Sequence, residues 1–138
     1  MPRFIGLALA AAILFAPCSA WAEDQPAENC GDLDTGAAQK KCADITYRAA
    51  ANELDDVYGR ILKAATRADA QHAPDVGAKS WSAALTESQR AWEAYRDAEC
   101  RGVVGRGGGS GRMVWVLGCL AEKTNARIRE LKVPYDER

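Results

Sequence analysis

LTESQRAWEAYRDAEC, residues 85–100, runs directly into RGVVGRGGGSGRMVWVLGC, residues 101–119, and the reading of these two segments decides the fold. In the first, and just ahead of it, apolar and aromatic positions recur at three- and four-residue steps, the period of one helix face. Trp81, Leu85, Ser88 or Gln89, Trp92, Tyr95 or Arg96, and Glu99 form that stripe, and a helix from Trp81 to about Cys100 is predicted. Its other face carries Glu87, Arg90, Glu93 and Asp97, charges at a spacing that gives weak surface pairs. The second segment places glycines at 102, 105, 107, 108, 109 and 111, which predicts a loop over 101–112. A third helix then begins between Arg112 and Val116 and runs to about Leu131, with Val116, Leu117, Leu120, Thr124, Arg127 and Leu131 facing inward. Pro134 prevents its simple continuation.

Upstream of this pair, His72 to Lys79 contains Pro74 and Gly77 and reads as a turn, with Ser80 as the cap of the following helix. Before the turn, Ala37 to about Ala70 holds no proline and repeats Ile45, Ala49, Leu54, Tyr58, Ile61, Leu62 and Ala65 at helical spacing. A long first helix follows, capped by Asp34 or Thr35, with Gly59 as its one interior weak point and fraying after Thr66 as the alternative to a clean end. Three amphipathic helices must bury their stripes against one another, because a lone one is marginal in water. The expected architecture is therefore an all-α, small, disulfide-linked three-helix bundle, with helices two and three as an antiparallel pair across the glycine-rich loop. Trp81, Trp92 and Trp115 are expected to supply much of its apolar area.

The chain opens with Arg3, an apolar run from Ile5 to Ala16, and Ala20-Trp21-Ala22, the layout of a secretory signal peptide over residues 1–22. The run is shorter than the roughly 20 residues of a spanning helix. A lipid anchor on Cys18 is disfavoured by Pro17 and Phe15 before it. Residues 23–138 then form a single helical domain, placed in the periplasm or outside the cell. Of five cysteines, Cys18 leaves with the leader. The remaining Cys30, Cys42, Cys100 and Cys119 are an even set in an exported chain and read as two disulfides. Three pairings are possible; Cys30–Cys42 and Cys100–Cys119 are favoured because each closes a short local excursion beside a helix end. With 18 basic and 19 acidic residues, the chain lacks the cationic excess of a nucleic-acid protein.

The order Cys30, Cys42, Leu54 to Tyr58, Leu85, Gln89-x-x-Trp92, Tyr95-Arg96-Asp97-x-x-Cys100, Gly108-Gly109-Ser110, Cys119-Leu120, Thr124, Arg127 and Leu131 resembles the LprI-type lysozyme-inhibitor N-terminal domain. The resemblance covers nearly all of residues 23–138, and its most specific part is the Gln-x-x-Trp and Arg-Asp-x-x-Cys combination. Leu54-Asp55 stands where that family commonly has Leu-Asn. The resemblance implies an exported, helical, disulfide-bearing binding protein without catalysis, with lysozyme or another envelope protein as partner, and inhibition by steric blockage. A structural or stress-related envelope protein that binds another protein, a lipid or a cell-wall component is the alternative.

The residues themselves favour structure over chemistry. Leu54, Tyr58, Leu85, Trp92, Tyr95, Arg96, Leu120, Arg127 and Leu131 are the expected structural core, Arg96 and Arg127 serving as internal ties with their stems packed and their guanidiniums paired. A metal centre needs converging ligands, whereas the one histidine, His72, sits at the predicted turn. No metal or cofactor is expected. Glu93 and Asp97 are four residues apart on a helix and read as a solvated polar face. The glycine loop lacks the Gly-Lys-Ser/Thr ending of a phosphate cradle. Its Arg101, Arg106, Gly108, Gly109, Ser110 and Arg112 are instead candidate partner contacts. Asp55, Asp56, Glu87 and Glu93 are the acidic alternative for a basic partner surface.

Overall fold

The computed structural model describes Cys30 and residues 32–133; the expected leader, residues 1–22, and the last residues fall outside them. Three helices make the bundle: α1, Gly36–Gln71; α2, Trp81–Asp97; and α3, Arg112–Lys132. Thr35 caps α1 by accepting a hydrogen bond from the Ala38 amide at 3.1 Å, and Ser80 caps α2 through the Ala83 amide at 3.3 Å. Each side chain satisfies one of the amides that a helix start leaves without an internal partner. Gly59 does not interrupt α1, because the roughly 1 kcal/mol it costs relative to alanine is small beside the burial of Leu54, Val57 and Ala65 on either side.

The larger core unites Leu54, Val57 and Ala65 of α1 with Leu85 of α2 and Ile128 and Leu131 of α3, and Tyr58, Ile61, Leu62 and Trp92 pack at its edge. A second cluster joins Cys100, Val116 and Leu120, with Tyr47 and Cys119 against it. Tyr47 therefore lies beside the start of α3, and the Lys132 ammonium meets the Glu53 carboxylate at 2.7 Å. α1 and α3 run in the same direction. Tyr58 reaches Thr86, and Arg127 reaches Ser88, so α2 runs against both.

The expected α2–α3 pair is antiparallel, but it is not the main interface. α3 packs most extensively on α1, and α2 touches α3 least. The sequence explains why. α2 offers only Leu85 and Gln89 as buried residues, whereas α3 buries seven, Val116, Leu117, Leu120, Ala121, Thr124, Ile128 and Leu131. The tryptophans also contribute less to the interior than expected, since Trp81 and Trp115 are exposed and Trp92 is half-buried. On α1, Ala50 is buried in place of the expected Ala49, one position earlier.

Glycine content also overstated the loop. After Asp97 the chain keeps turning, through a π-helical turn over Ala98–Val103 and a 3-10 turn over Val104–Arg106. Cys100, fully buried in this turn, is bonded to Cys119 on α3, with Cα atoms 5.6 Å apart. Cys30 is bonded to Cys42, Cα atoms 4.8 Å apart, and Cys42 lies little more than a turn before Tyr47. Both bridges thus sit at the end of the bundle where α1 and α3 begin and α2 ends. The opposite end is held without covalent help. Asp69, near the end of α1, accepts hydrogen bonds from the Trp81 and Ser82 amides at 2.9 Å each, fastening the start of α2.

Candidate functional site

Two surfaces carry unusual side-chain chemistry: the seam between α2 and α3, and the tip beyond the Cys100–Cys119 bridge. The seam is built from long polar side chains because the two helices stand apart. Arg127 donates through Nε to Gln89 Oε1 at 3.2 Å, through a terminal nitrogen to Ser88 Oγ at 3.1 Å, and to Glu130 at 3.2 Å. Arg96 donates from Nε and Nη2 to the same Asp97 oxygen, each at 2.9 Å. The indole of Trp92 lies between these two cations, 5.0 Å from the Arg96 guanidinium carbon and 5.8 Å from that of Arg127. Tyr47 faces Arg96 from α1 at 6.0 Å.

Both guanidinium side chains are largely covered, 13% and 12% exposed. Their charges are met by carboxylates and aromatic faces, which offsets the cost of removing them from water. Arg127 therefore joins α3 to α2, whereas Arg96 pairs within α2 and meets α1 only through Tyr47. Tyr47 was missed, although its place three residues before Ala50 and seven before Leu54 continues the apolar stripe of α1.

Tyr95 corrects the expected core. It is 55% exposed, and its hydroxyl accepts a hydrogen bond from Lys123 at 2.9 Å. The helical period allowed Tyr95 or Arg96 to point inward, and Arg96 took the place because its guanidinium reaches both Asp97 and Trp92. The Tyr95 hydroxyl raises the Lys123 pKa above its ordinary value, since the bond favours the charged ammonium. Leu54, Leu85, Leu120 and Leu131 are buried, and Tyr58 and Trp92 are half-buried.

At the tip, the six candidate contact residues divide. Arg101 and Arg106 stand on the helical turns, Gly108 to Ser110 form the remaining loop, and Arg112 opens α3. Arg101 is partly engaged by Asp97 at 3.8 Å. No carboxylate comes within 4.0 Å of Arg106 or Arg112 among the described residues. Gly105 is buried against Val116, and a Cβ on Gly107 would stand 2.9 Å from the Trp115 ring. Only glycine fits that contact without moving the ring. Gly109 adopts φ 97°, where a side chain is strained, and turns the chain into α3. Trp115 stays 57% exposed while one edge of its ring lies on the loop backbone. Met113 and Val103 are exposed at the same end.

The remaining surfaces offer less. A shallow groove between α1 and α3 holds Glu53, Asp55 and Asp56 together with Arg60, Lys63 and Lys132, so its charges are balanced. Another, between α1 and α2, is lined by Leu62, Thr66, Ser82, Thr86, Glu87 and Arg90. Glu87 is bonded to Lys79, which holds its carboxyl below the ordinary range. Among the described residues no three His, Cys, Asp or Glu side chains gather as metal ligands. No helix among them is long and apolar enough to cross a membrane.

The chain is 41% identical over 112 residues to the uncharacterized protein R02472 of Rhizobium meliloti (strain 1021), an overlap of 78% of this chain and 79% of the relative. No solved structure matches. The family model described as "Lysozyme inhibitor LprI" matches residues 27–131, a span that takes in both disulfides, the Trp92 seam and the arginine tip. The chain belongs to the LprI lysozyme-inhibitor family.

Proposed function

We propose that this protein is an exported inhibitor of lysozyme that works without chemistry of its own, by occupying the enzyme's saccharide cleft. Family membership over residues 27–131 carries this reading. The two disulfides support it, because such bonds persist in the oxidising space outside the cytoplasm, where lysozyme acts on the cell wall. Residues 1–22 act as the removable leader, and residues 23–138 as one inhibitory domain of the periplasm or the exterior.

The bundle suits obstruction. Its helix seam is tied by Arg127 to Gln89 and Ser88 and its tip is clamped by Cys100–Cys119, so little ordering remains to oppose association. The test is a titration of the purified, oxidised chain against several lysozyme types, with hydrolysis of cell-wall substrate as the readout. Stoichiometric loss of activity for at least one enzyme is expected. Full activity of all of them at large molar excess refutes the proposal.

A further inference from the structure

The tip concentrates positive charge in a chain that has none to spare. Between Cys100 and Ala121 the sequence contains Arg101, Arg106 and Arg112 and no Asp or Glu, although the whole chain carries a formal charge of −1. Arg101 is partly neutralised by Asp97, which leaves Arg106 and Arg112 as the cations available to a partner. Beside them Trp115 presents a large exposed ring with one edge resting against Gly107. Tryptophan and arginine are among the residue types enriched at the energetic hot spots of protein interfaces. Nothing lies within 4 Å of where a Cβ would stand on Gly108 or Gly109, so the loop projects as bare backbone, narrow enough to enter a concavity.

We infer that Arg106, Arg112 and Trp115 form the surface that enters the cleft of the inhibited enzyme, the guanidiniums on its catalytic carboxylates and the indole where a sugar ring would stack. This rests on the reading of the protein as a lysozyme inhibitor and adds which face does the work. A glycoside hydrolase of this kind places two carboxylates across the scissile bond, about 5–9.5 Å apart. Its cleft is locally anionic even where the outer surface is basic, because a narrow site focuses the field of its own charges. Guanidiniums recognise carboxylates through paired donors, and the contact strengthens as water leaves. The acidic alternative is weaker. Asp55 and Asp56 share their groove with Arg60, Lys63 and Lys132, so that face presents no net field to attract a basic enzyme.

The experiment uses the full oxidised chain, a soluble saccharide substrate and each lysozyme that the wild type inhibits. Wild-type inhibition should be competitive, raising the apparent KM with kcat unchanged. The Arg106→Gln/Arg112→Gln variant should weaken inhibition by about 100-fold. Trp115→Ala should weaken it by about tenfold. Asp55→Asn/Asp56→Asn, on the acidic face, should leave it within about twofold, as for exposed charges outside an interface. Melting curves check that each variant is folded, which these exposed positions should allow. Tip variants that inhibit like the wild type, a non-competitive pattern, or loss of inhibition only in the Asp55/Asp56 variant would each overturn the inference while leaving the inhibitor reading intact. A wild type that inhibits no lysozyme removes both.

Discussion

Arg127 of α3 donates to the side-chain oxygen of Gln89 on α2 at 3.2 Å, a polar contact across the interface at which the two helices touch least. With its side chain 12% exposed, the guanidinium has little water to fall back on if its partners are removed. Arg127→Ala should therefore lower stability by about 2 kcal/mol, the range of hydrogen bonds to charged groups. For a bundle of this size that corresponds to about 8–16 °C in the thermal midpoint. Gln89→Ala should cost less, since Ser88 and Glu130 still receive Arg127. A midpoint unchanged in Arg127→Ala would show that the seam carries no stability.

Trp92 fills the space between Arg96 and Arg127 and packs on the larger core. Because the ring is half-buried, Trp92→Ala should cost about 2–3 kcal/mol, below the 3–5 typical of a fully buried aromatic. Urea denaturation measures it. Trp92→Phe should recover part of the loss, since a smaller ring still meets both cations.

Asp69 links stability to acid. Hydrogen bonds from Ser82, and also from the Trp81 amide, hold its carboxyl below the ordinary aspartate value. A carboxyl with a depressed folded-state pKa contributes stability above its unfolded value, and the contribution is lost as pH falls through the folded one. The thermal midpoint should thus decline as pH drops below about 4, the unfolded aspartate value. Asp69→Asn should flatten part of that decline. Glu87, shifted the same way by Lys79, should account for a further part.

The two disulfides should differ in effect. Cys100 is fully buried against Val116 and Leu120, and its bond to Cys119 closes a 19-residue separation. Cys100→Ser/Cys119→Ser should cost about 3 kcal/mol from the released chain, with a further loss from placing hydroxyls in the core. Cys30→Ser/Cys42→Ser frees a tether at the edge and should cost less. Differential scanning calorimetry of the two variants should rank them in that order, and the reverse order would contradict the burial of Cys100.

Helix positions, both caps and both local disulfide pairings could be read from the residues because each depends on near neighbours: period, Thr35 or Ser80 ahead of a periodic run, and cysteines beside helix ends. What escaped depends on how helices stand relative to each other. The choice of Arg96 over Tyr95 as the covered residue follows from where Trp92 and Asp97 meet it. The helical turns over residues 101–106 escaped because Gly102 and Gly105 suggest a loop by propensity, yet the bond from Cys100 to Cys119 and the packing of Gly105 on Val116 hold them wound. At the candidate site the arginines were visible in the sequence. The partnering of Arg101 with Asp97 and the seating of Trp115 on Gly107 were not, since both are contacts across a turn.

Neither bridge crosses from α1 to the rest. Cys30–Cys42 closes on the first helix and its lead-in, and Cys100–Cys119 closes on α2 and α3, so among the described residues one exposed stretch, His72 to Lys79, is the sole covalent passage between the two halves. A single proteolytic nick there would give two fragments that separate on a denaturing gel without reductant. Whether they co-elute before denaturation reads the strength of the α1–α3 packing directly, with the chain connection removed.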